Sequence, residues 1–360
     1  MALLTPLGPL DRLETGNWEV QKDLLSMDKH RLLEGLAIEG TMNSIFQQMP
    51  TLGATPLPLS LLRTAQRGKP DLWWIWNHSP GEPGANKLFE MLEQKNPKRV
   101  VLCDYDENQH DFIITRYFKR TGESIQKRLM NQRRVKDTDF VRPAPLLQEV
   151  ERVLTAFFRI KDGSYDRDMF NDVVLHRLFK NCAIQPFYHY LWDIDTILEL
   201  PNGRLVQVEI KHKFPGGRDT LFFGLNDGQV KTMLELARCG IDTFHINVVK
   251  PYWGSNTSTG YLLNDPSIRN NVLVVGHYLN QEKLEGLVKA KSGSSGKSES
   301  LYGNKGQNFK SIPVTDFVRI GTLNEIIDSG PVRTRSSGRW RRSTVVASCV
   351  ARASSRVEAS

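Results

Sequence analysis

The stretch WDIDTILELPNGRLVQVEIKHKFP, from Trp192 to Pro215, constrains the fold more than any other part of the sequence. Its Asn-Gly pair at positions 202–203 favours the positive backbone angles of a tight hairpin turn. Because side chains alternate across a strand, Ile194, Val208 and Ile210 fall on one face and can pack into a core. The other face collects four charged side chains, namely Asp193, Asp195, Glu209 and Lys211. The sequence therefore predicts a hairpin that gathers acids and a lysine in one patch.

Such a patch of carboxylates favours a bound divalent cation. Neighbouring carboxylates repel one another, so they do not all stay ionised cheaply without a counter-charge. Mg²⁺ takes hard oxygen ligands and keeps several of its waters. A cation of this kind polarises a phosphodiester and lowers the pKa of a water, and a nearby lysine stabilises the charge of the transition state. Mg²⁺ or Mn²⁺ is the expected cofactor, and exposed cross-strand ion pairs are the alternative interpretation.

The order of elements around the hairpin is similar to the core of the PD-(D/E)XK nuclease superfamily. A helical pattern over residues 166–182 precedes the hairpin, and the amphipathic segment NDGQVKTMLELARCG follows it. In this superfamily an aspartate on one strand is followed by E-x-K on the next strand, and Glu209 and Lys211 have that spacing. The forms most similar are the Holliday-junction-resolvase-like and VRR-type nucleases, whose following helix carries a glutamine near its start. The resemblance covers roughly residues 165–250.

The resemblance assigns roles to individual residues. It implies a catalytic set made of Asp195, Glu209, Lys211 and Gln229. It implies metal ligands among the acids Asp195, Glu209, Asp193 and Asp172. Asp195 is favoured over Asp193 as the metal aspartate, although both spacings to Glu209 occur in the family. Asp172 lies on the preceding helix, where the usual residue is glutamate, so this position departs from the family pattern.

The resemblance also implies an activity. It is that of a metal-dependent endonuclease, a phosphodiester hydrolase acting on DNA, in phage defence, mobile-element processing, or recombination and repair. A catalytically inactive nucleic-acid-binding protein with the same fold is the alternative. A third hypothesis places the chemistry near the N-terminus, where Asp104 and Asp106 follow an apolar strand and suit a metal or nucleotide site. Many such nucleases cut both strands as dimers, so a homodimer is a further expectation.

The positive charge of the chain is unevenly distributed. The formal net charge is +8, but residues 331–360 carry seven arginines and one glutamate and so account for most of it. A second basic run, Arg116 to Lys136, has eight basic residues against one acid. This run is interpreted either as a solvated helix face or as a phosphate-binding surface. The expected nucleic-acid contacts are Lys127, Arg128, Arg133, Arg134 and Lys213.

The sequence predicts an α/β (α+β) protein with a restriction-endonuclease-like core, a central mixed sheet flanked by helices, after a smaller α/β unit. The expected divisions are an accessory region at 1–145, a nuclease-like domain at 146–330 and a disordered basic tail at 331–360. Charged residues make up 24% of the chain, and no apolar run reaches the length of a membrane span. The four cysteines form no CxxC pair and no secretory signal is recognised, so an intracellular, cytoplasmic protein is expected.

Overall fold

The computed structural model is a mixed α+β structure. It describes residues 2–26, 42, 54–66, 68–117, 121–130, 170–217, 219–251, 268, 271–300 and 303–327. The described residues fall into two compact units. The first unit draws on Met1–Leu36, Leu57–Thr196 and Lys297–Lys305, and the second on Ala37–Pro56, Ile197–Gly296 and Gly306–Ser360. The expected boundary at 145 and the tail at 331–360 lie outside the described residues, so the predicted domain limits stay predictions.

The strands and helices are numbered in chain order. The strands are β1 Leu4–Thr5, β2 Gly8–Pro9, β3 Thr55–Pro56, β4 Leu59–Gln66, β5 Lys69–Asn77, β6 Val100–Asp106, β7 Asp111–Arg116, β8 Tyr190–Ile194, β9 Thr196–Glu199, β10 Leu205–Lys213, β11 Phe222–Asn226, β12 Asp242–Val249, β13 Leu273–Leu279, β14 Gly293–Ser300, β15 Gly303–Pro313 and β16 Val318–Thr322. The helices are α1 Trp18–Ser26, α2 Pro83–Lys95, α3 Ile125–Met130, α4 Leu175–Leu178, α5 Asp227–Arg238, α6 Gln281–Lys289 and α7 Leu323–Ile327.

The first unit is organised by a five-stranded sheet in the order β7-β6-β5-β4-β8. Strands β5 and β6 are parallel and α2 connects them, whereas the other neighbouring pairs are antiparallel. Four consecutive residues of β5, Trp73 to Trp76, are buried, as expected of a strand covered on both faces. Helix α2 begins with Pro83 at its first turn and buries Leu88 and Leu92. The apolar strand expected at Asp104 and Asp106 is confirmed as β6, which includes both acids.

A helical segment precedes β8 in the first unit. It runs from Phe170 to Phe187 and combines π-helical turns, α4 and a 3₁₀ turn. The predicted helix over 166–182 is therefore confirmed from Phe170 onward, while its first residues lie outside the described residues. Strand β8 then pairs with β4 in an antiparallel register that sets Trp192 opposite Arg63.

The second unit contains a six-stranded sheet in the order β16-β13-β12-β10-β9-β3. Strands β10 and β12 are parallel and α5 connects them, and β13 and β16 continue the sheet in antiparallel fashion. Helices α5 and α6 share an apolar cluster centred on Val230, Met233 and Leu284. This cluster fixes α5 in the core, because all three of those side chains are almost fully buried.

The hairpin predicted over Trp192 to Pro215 is confirmed for its turn and for the strands on either side of the turn, but not for the residues before Thr196. Gly203 has a φ of 77°, and its amide donates to the Leu200 carbonyl at 2.8 Å. The hairpin consists of β9 and β10, which are neighbours in the second unit's sheet. The residues before it form the separate strand β8 in the first unit. The local alternation of charged and apolar residues does not specify which sheet a strand joins.

The stretch SGSSGKSES at 292–300 has the composition of a flexible loop, yet most of it is a strand. Residues Gly293–Ser300 form strand β14 at the edge of a three-stranded sheet in the order β11-β15-β14. Glycine and serine are poor strand formers, but backbone pairing to a neighbouring strand overrides that weak preference. Among the described residues, no helix is long and apolar enough to cross a membrane.

Candidate active site on the sheet of the second unit

Strand β10 divides its side chains between two environments. Val206, Val208 and Ile210 point to one face and are buried in the apolar core. The opposite face carries Gln207, Glu209, Lys211 and Lys213. Glu209 is only 1% exposed, which is unusual for a carboxylate because a buried charge loses its hydration. The burial of Glu209 therefore requires specific compensation.

Three side-chain donors supply that compensation, and together they define the Glu209 cluster of Glu209, Lys211, Gln229 and Gln207. The Lys211 ammonium forms an ion pair with Oε1 of Glu209. Gln229 Nε2 donates to the same Oε1 at 2.7 Å, and Gln207 Nε2 donates to Oε2 at 3.2 Å. Both carboxylate oxygens are thus held by nitrogen donors, an arrangement that suits the ionised form of the acid.

Gln229 reaches the cluster because of the way α5 begins. The side chain of Asn226 caps the helix by accepting from the Gly228 amide at 2.8 Å, so Gln229 lies in the first helical turn. At the other end, Gly240 has a φ of 82°, which is typical of a glycine that terminates a helix. The helix and the position of Gln229 near its start agree with the sequence-based prediction. The structure brings Gln229 together with Glu209 and Lys211, three of the four residues expected to be catalytic.

A buried polar network on β12 supports the cluster from the neighbouring strand. Thr243 Oγ1 donates to Gln207 Oε1 at 3.0 Å. His245 lies in register with Glu209, and its Nδ1 contacts the Glu209 backbone carbonyl at 3.3 Å. Asn247 Nδ2 contacts His245 Nε2 at 2.9 Å. These contacts are consistent with one tautomer of His245, in which Nδ1 donates to the carbonyl and Nε2 accepts from Asn247.

Electrostatics keep that histidine neutral. Burial lowers the pKa of His245 well below its ordinary value, and the nearby Lys211 and Lys213 lower it further. A neutral His245 can accept from Asn247, which leaves Asn247 Oδ1 as a buried acceptor without a hydrogen-bond partner. Asn247 lies in register with Lys211, so this acceptor belongs to the strand position directly beside the lysine.

Sequence reasoning missed Gln207, Thr243, His245 and Asn247. The detectable signal is the alternation Thr-x-His-x-Asn at positions 243, 245 and 247, within a strand that is otherwise apolar. Parallel strands buried on both faces are normally continuous apolar runs. Three polar residues with a period of two in such a strand therefore indicate a buried polar network.

Lys213, one of the expected nucleic-acid contacts, has a partner within the second unit. Its Nζ donates to the Gly224 backbone carbonyl at 2.5 Å. Burial lowers the pKa of Lys213 to about 8, with a further contribution from the Lys211 charge. The ammonium is thus engaged with the backbone of β11 in the second unit.

The remaining acids of the predicted site belong to the first unit. Asp193, on β8, forms an ion pair with Lys180. Asp195 directly precedes β9 in the sequence and is grouped with the first unit. Asp172 lies in the π-helical turn Phe170–Val174, and its side chain is outside the described part of the structure. Of the predicted acids, Glu209 is the one that the described part of the second unit contains.

The fit of this carboxylate to a metal can be assessed from its donor chemistry. No group of three His, Cys, Asp or Glu side chains that could hold a metal ion occurs among the residues the structure describes. Mg²⁺, however, is commonly bound through one or two carboxylates, with waters and substrate phosphates as its other ligands. Glu209 suits one such ligand position if the Lys211 ammonium moves away from Oε1.

The expected nucleic-acid contacts on the basic run are partly described. Lys127 and Arg128 lie on α3, and Lys127 is exposed. The Arg128 guanidinium lies 4.2 Å from the centre of the Tyr117 ring and 3.8 Å from the Glu123 carboxylate. Arg133 and Arg134 lie outside the described residues. In this run Lys127 is the described cation most accessible to a phosphate.

Asp104 and Asp106, the two acids of the alternative N-terminal site, lie at the end of β6 in different surroundings. Asp106 Oδ1 accepts from the backbone amides of Asn108 and Gln109 at 2.8 and 3.1 Å, which closes the turn between β6 and β7. Hydrogen bonds from Gln109 lower the pKa of Asp106. Burial raises the pKa of Asp104, which lies in register with Asn77 on β5.

Comparison with known proteins adds no relative to this picture. Neither a family model, nor a curated protein, nor a solved structure matches the chain. Functional inference therefore depends on the residues themselves. The most informative of these is a buried glutamate whose oxygens are held by a lysine two residues along the same strand and by a glutamine at the start of the following helix.

Proposed function

We propose that the chain is a metal-dependent nuclease that hydrolyses phosphodiester bonds, acting as an endonuclease on DNA. The observation that carries this proposal is the Glu209 cluster. A carboxylate, a lysine on the same strand face and a helix-borne glutamine meet at one point of a buried sheet. The resemblance to PD-(D/E)XK nucleases predicts these same three residues. The restriction-endonuclease-like core is part of the proposal, supported by the parallel β10–β12 pair connected through α5.

Each residue of the cluster has a distinct chemical part. Glu209 supplies a carboxylate oxygen to the metal, and the resemblance adds Asp195 as a second ligand, in preference to Asp193, which is engaged by Lys180. Mg²⁺ or Mn²⁺, when bound, lowers the pKa of a water and neutralises phosphate charge. Lys211, released from Oε1, places its ammonium where negative charge develops on the phosphate. Gln229 and Gln207 hold the Glu209 carboxylate in a fixed orientation.

The Asn247 side chain gives Lys211 a second hydrogen-bonding position. The acceptor Oδ1 is buried without a partner and belongs to the residue in register with Lys211. An ammonium that leaves Glu209 would otherwise lose a strong partner in a poorly hydrated environment, which is costly. Hydrogen bonding to Asn247 would keep Lys211 charged and in place during phosphate binding.

The decisive experiment compares the parent protein with Lys211→Ala. Supercoiled plasmid, single-stranded DNA and RNA are incubated with each protein in Mg²⁺, Mn²⁺ or EDTA. We expect metal-dependent cutting by the parent and a loss on the order of a hundredfold or more in the variant, since electrostatic stabilisation of a transition state typically has that magnitude. Lys231→Ala is the matched control, because Lys231 is an exposed lysine on α5. Equal cutting by Lys211→Ala and the parent would refute the proposal.

One observation favours the alternative of an inactive nucleic-acid-binding protein. Lys211 occupies the Glu209 carboxylate, and the described residues hold no three-ligand group. Metal-dependent thermal stabilisation discriminates between the two functions. An active site predicts stabilisation by Mg²⁺ or Mn²⁺ that disappears in Glu209→Gln and in Asp195→Asn. Nucleic-acid binding that is indifferent to both metals, without any stabilisation, would support the inactive protein.

A further inference from the structure

Two histidine rings meet at one serine hydroxyl in the first unit. His176 Nδ1 lies 2.9 Å from Ser60 Oγ, and His78 Nε2 lies 3.1 Å from the same oxygen. The two imidazole rings pack against each other with their centres 4.4 Å apart. The Trp76 indole packs on both of them, 4.3 Å from the centre of His78 and 4.9 Å from that of His176. We name these four residues, Ser60, His78, His176 and Trp76, the Ser60 cluster.

Three elements of the first unit bring the cluster together. Ser60 on β4 lies opposite Trp76 on β5. His78 follows directly after β5, where its backbone amide donates to the Pro58 carbonyl at 2.9 Å. His176 lies on α4, between two π-helical turns. Such turns within a helix are frequent at functional sites. The cluster therefore joins distant parts of the chain at a point where the helix departs from regular geometry.

The protons available in the cluster give the serine two different partners. A hydroxyl has one proton, so only one of the two ring nitrogens accepts from Ser60. A neutral imidazole has one N–H and one acceptor nitrogen, so the other ring can donate to Oγ. Burial lowers the pKa of His176 to about 4 and that of His78 well below its ordinary value, so both rings are neutral at pH 7. The Ser60 hydroxyl is therefore in contact with a ring nitrogen that can take its proton.

The indole of Trp76 adds a donor that lacks an acceptor. Trp76 is 3% exposed, and its Nε1 has no hydrogen-bond partner among the described residues. A buried donor without an acceptor lowers stability, and such groups in native structures require an explanation. Because this ring packs on both histidines, the carbonyl oxygen of a compound bound beside Ser60 is an acceptor that would satisfy it.

We propose that Ser60 is a nucleophile with His176 as its general base, and that the Ser60 cluster takes uncharged, activated acyl compounds such as aryl esters. A hydroxyl is activated as a nucleophile when an adjacent base within hydrogen-bond reach accepts its proton. His176 is assigned as the base because its contact with Ser60 is the shorter of the two. The neighbouring rings of Trp76 and Phe179, with centres 5.6 Å apart, favour an uncharged compound, since a charge beside apolar groups loses its hydration.

The proposed reaction has two stages, acylation and deacylation of Ser60. In the first, Oγ bonds to the acyl carbon while its proton passes to His176 Nδ1. The bond from that carbon to the leaving-group oxygen then breaks, and the imidazolium returns the proton to this oxygen. In the second stage, water attacks the acyl-serine in the same way, which releases the carboxylic acid and restores both side chains. A histidine of lowered pKa is a weak base, so the reaction requires a good leaving group, as in an aryl ester.

The test is covalent labelling of the full chain by a fluorophosphonate in EDTA, which excludes metal-dependent chemistry. Ser60 Oγ bonds to phosphorus and fluoride leaves, so intact-mass spectrometry detects the adduct and peptide mapping locates it. We expect one adduct, on Ser60, in the folded parent and none after heat denaturation. Ser60→Ala should not be labelled, and His176→Gln should be labelled on the order of a hundredfold more slowly, as is typical when a general base is removed. Ser79→Ala changes an exposed serine and is the matched control, which should be labelled like the parent.

Three results would overturn the proposal. A folded parent that takes up no fluorophosphonate contradicts a nucleophilic Ser60, and so does an adduct mapped to another residue. Equal labelling rates in His176→Gln and the parent would show that the histidine only satisfies the hydrogen bonding of a structural serine. Mapping the adduct in the parent does not depend on any variant, and melting curves check that the variants are folded.

Two further measurements define the substrate and separate this activity from the proposed nuclease. Release of nitrophenolate from p-nitrophenyl acetate should fall in Ser60→Ala to the level seen without protein, and retained hydrolysis would contradict acyl transfer by Ser60. Lys211→Ala should be labelled at the parent's rate, because Lys211 belongs to the Glu209 cluster of the second unit. Failure of either function therefore leaves the other one testable.

Discussion

Glu209 shows how a single buried charge organises its surroundings. A carboxylate in a core is stable only where donors replace the water it has lost, and both of its oxygens have such donors here. The donor on Oε2, Gln207, is itself fixed by Thr243 at 3.0 Å. Thr243 is fully buried, so its hydroxyl contributes to the site only through Gln207. A substitution at Thr243 therefore tests how much the orientation of Glu209 by Gln207 contributes to activity.

Thr243→Val replaces this hydroxyl with a methyl group of nearly the same size. The Gln207 carbonyl then loses its donor in a buried setting, which costs about 1–3 kcal/mol of stability. We expect a lower unfolding midpoint in urea and a lower kcat for plasmid cleavage with little change in KM, because the carboxylate is less well oriented. Thr243→Ser, which keeps the hydroxyl, should restore kcat. Equal kcat values for the valine variant and the parent would show that Thr243 does not position Glu209.

Helix α5 is the element that brings Gln229 to the Glu209 carboxylate on the sheet. The helix itself and the position of Gln229 near its start follow from the sequence, because both depend on contacts within a few residues. Other features depend on distant residues. Strand β8 pairs with β4, more than a hundred residues earlier in the chain, and β14 pairs in spite of its glycine and serine content. Local patterns contain no information about such partners.

Asn226→Ala tests how far activity depends on the start of α5. Loss of the side-chain acceptor from Asn226 costs about 1 kcal/mol, and it frays the turn that carries Gln229. We expect plasmid cleavage to fall by more than the small loss of stability explains, while Asn226→Asp keeps the cap and most of the activity. Asn280→Ala removes the corresponding cap of α6, whose side chain accepts from the Lys283 amide at 3.1 Å. If the two alanine variants lost activity equally, the effect would be one of general stability.

At the scale of the whole molecule, both units contain half-buried histidines that are neutral in the folded state. In the first unit, burial lowers the pKa of His176 to about 4, with Arg177 lowering it further. Burial also lowers the pKa of His78, and His176 lowers it further. His176 Nδ1 and His78 Nε2 both contact the Ser60 hydroxyl, at 2.9 and 3.1 Å. In the second unit, burial lowers the pKa of His212 to about 3. Protonation of these histidine rings therefore does not stabilise the folded state of either unit.

The sign of the resulting pH dependence follows from proton binding. Between the ordinary histidine pKa of 6.5 and the folded value of about 4, the unfolded chain binds a proton that folded His176 does not. Stability is therefore full above pH 6.5 and falls as the pH decreases towards 4, by at most about 1.4 kcal/mol per pH unit for each such histidine. Urea unfolding midpoints measured from pH 7 down to pH 5 should decline accordingly. His176→Gln, which cannot take up the proton, should flatten this decline, and His189→Gln at an exposed position is the matched control. A decline in His176→Gln as steep as in the parent would show that protonation of His176 does not contribute to acid unfolding.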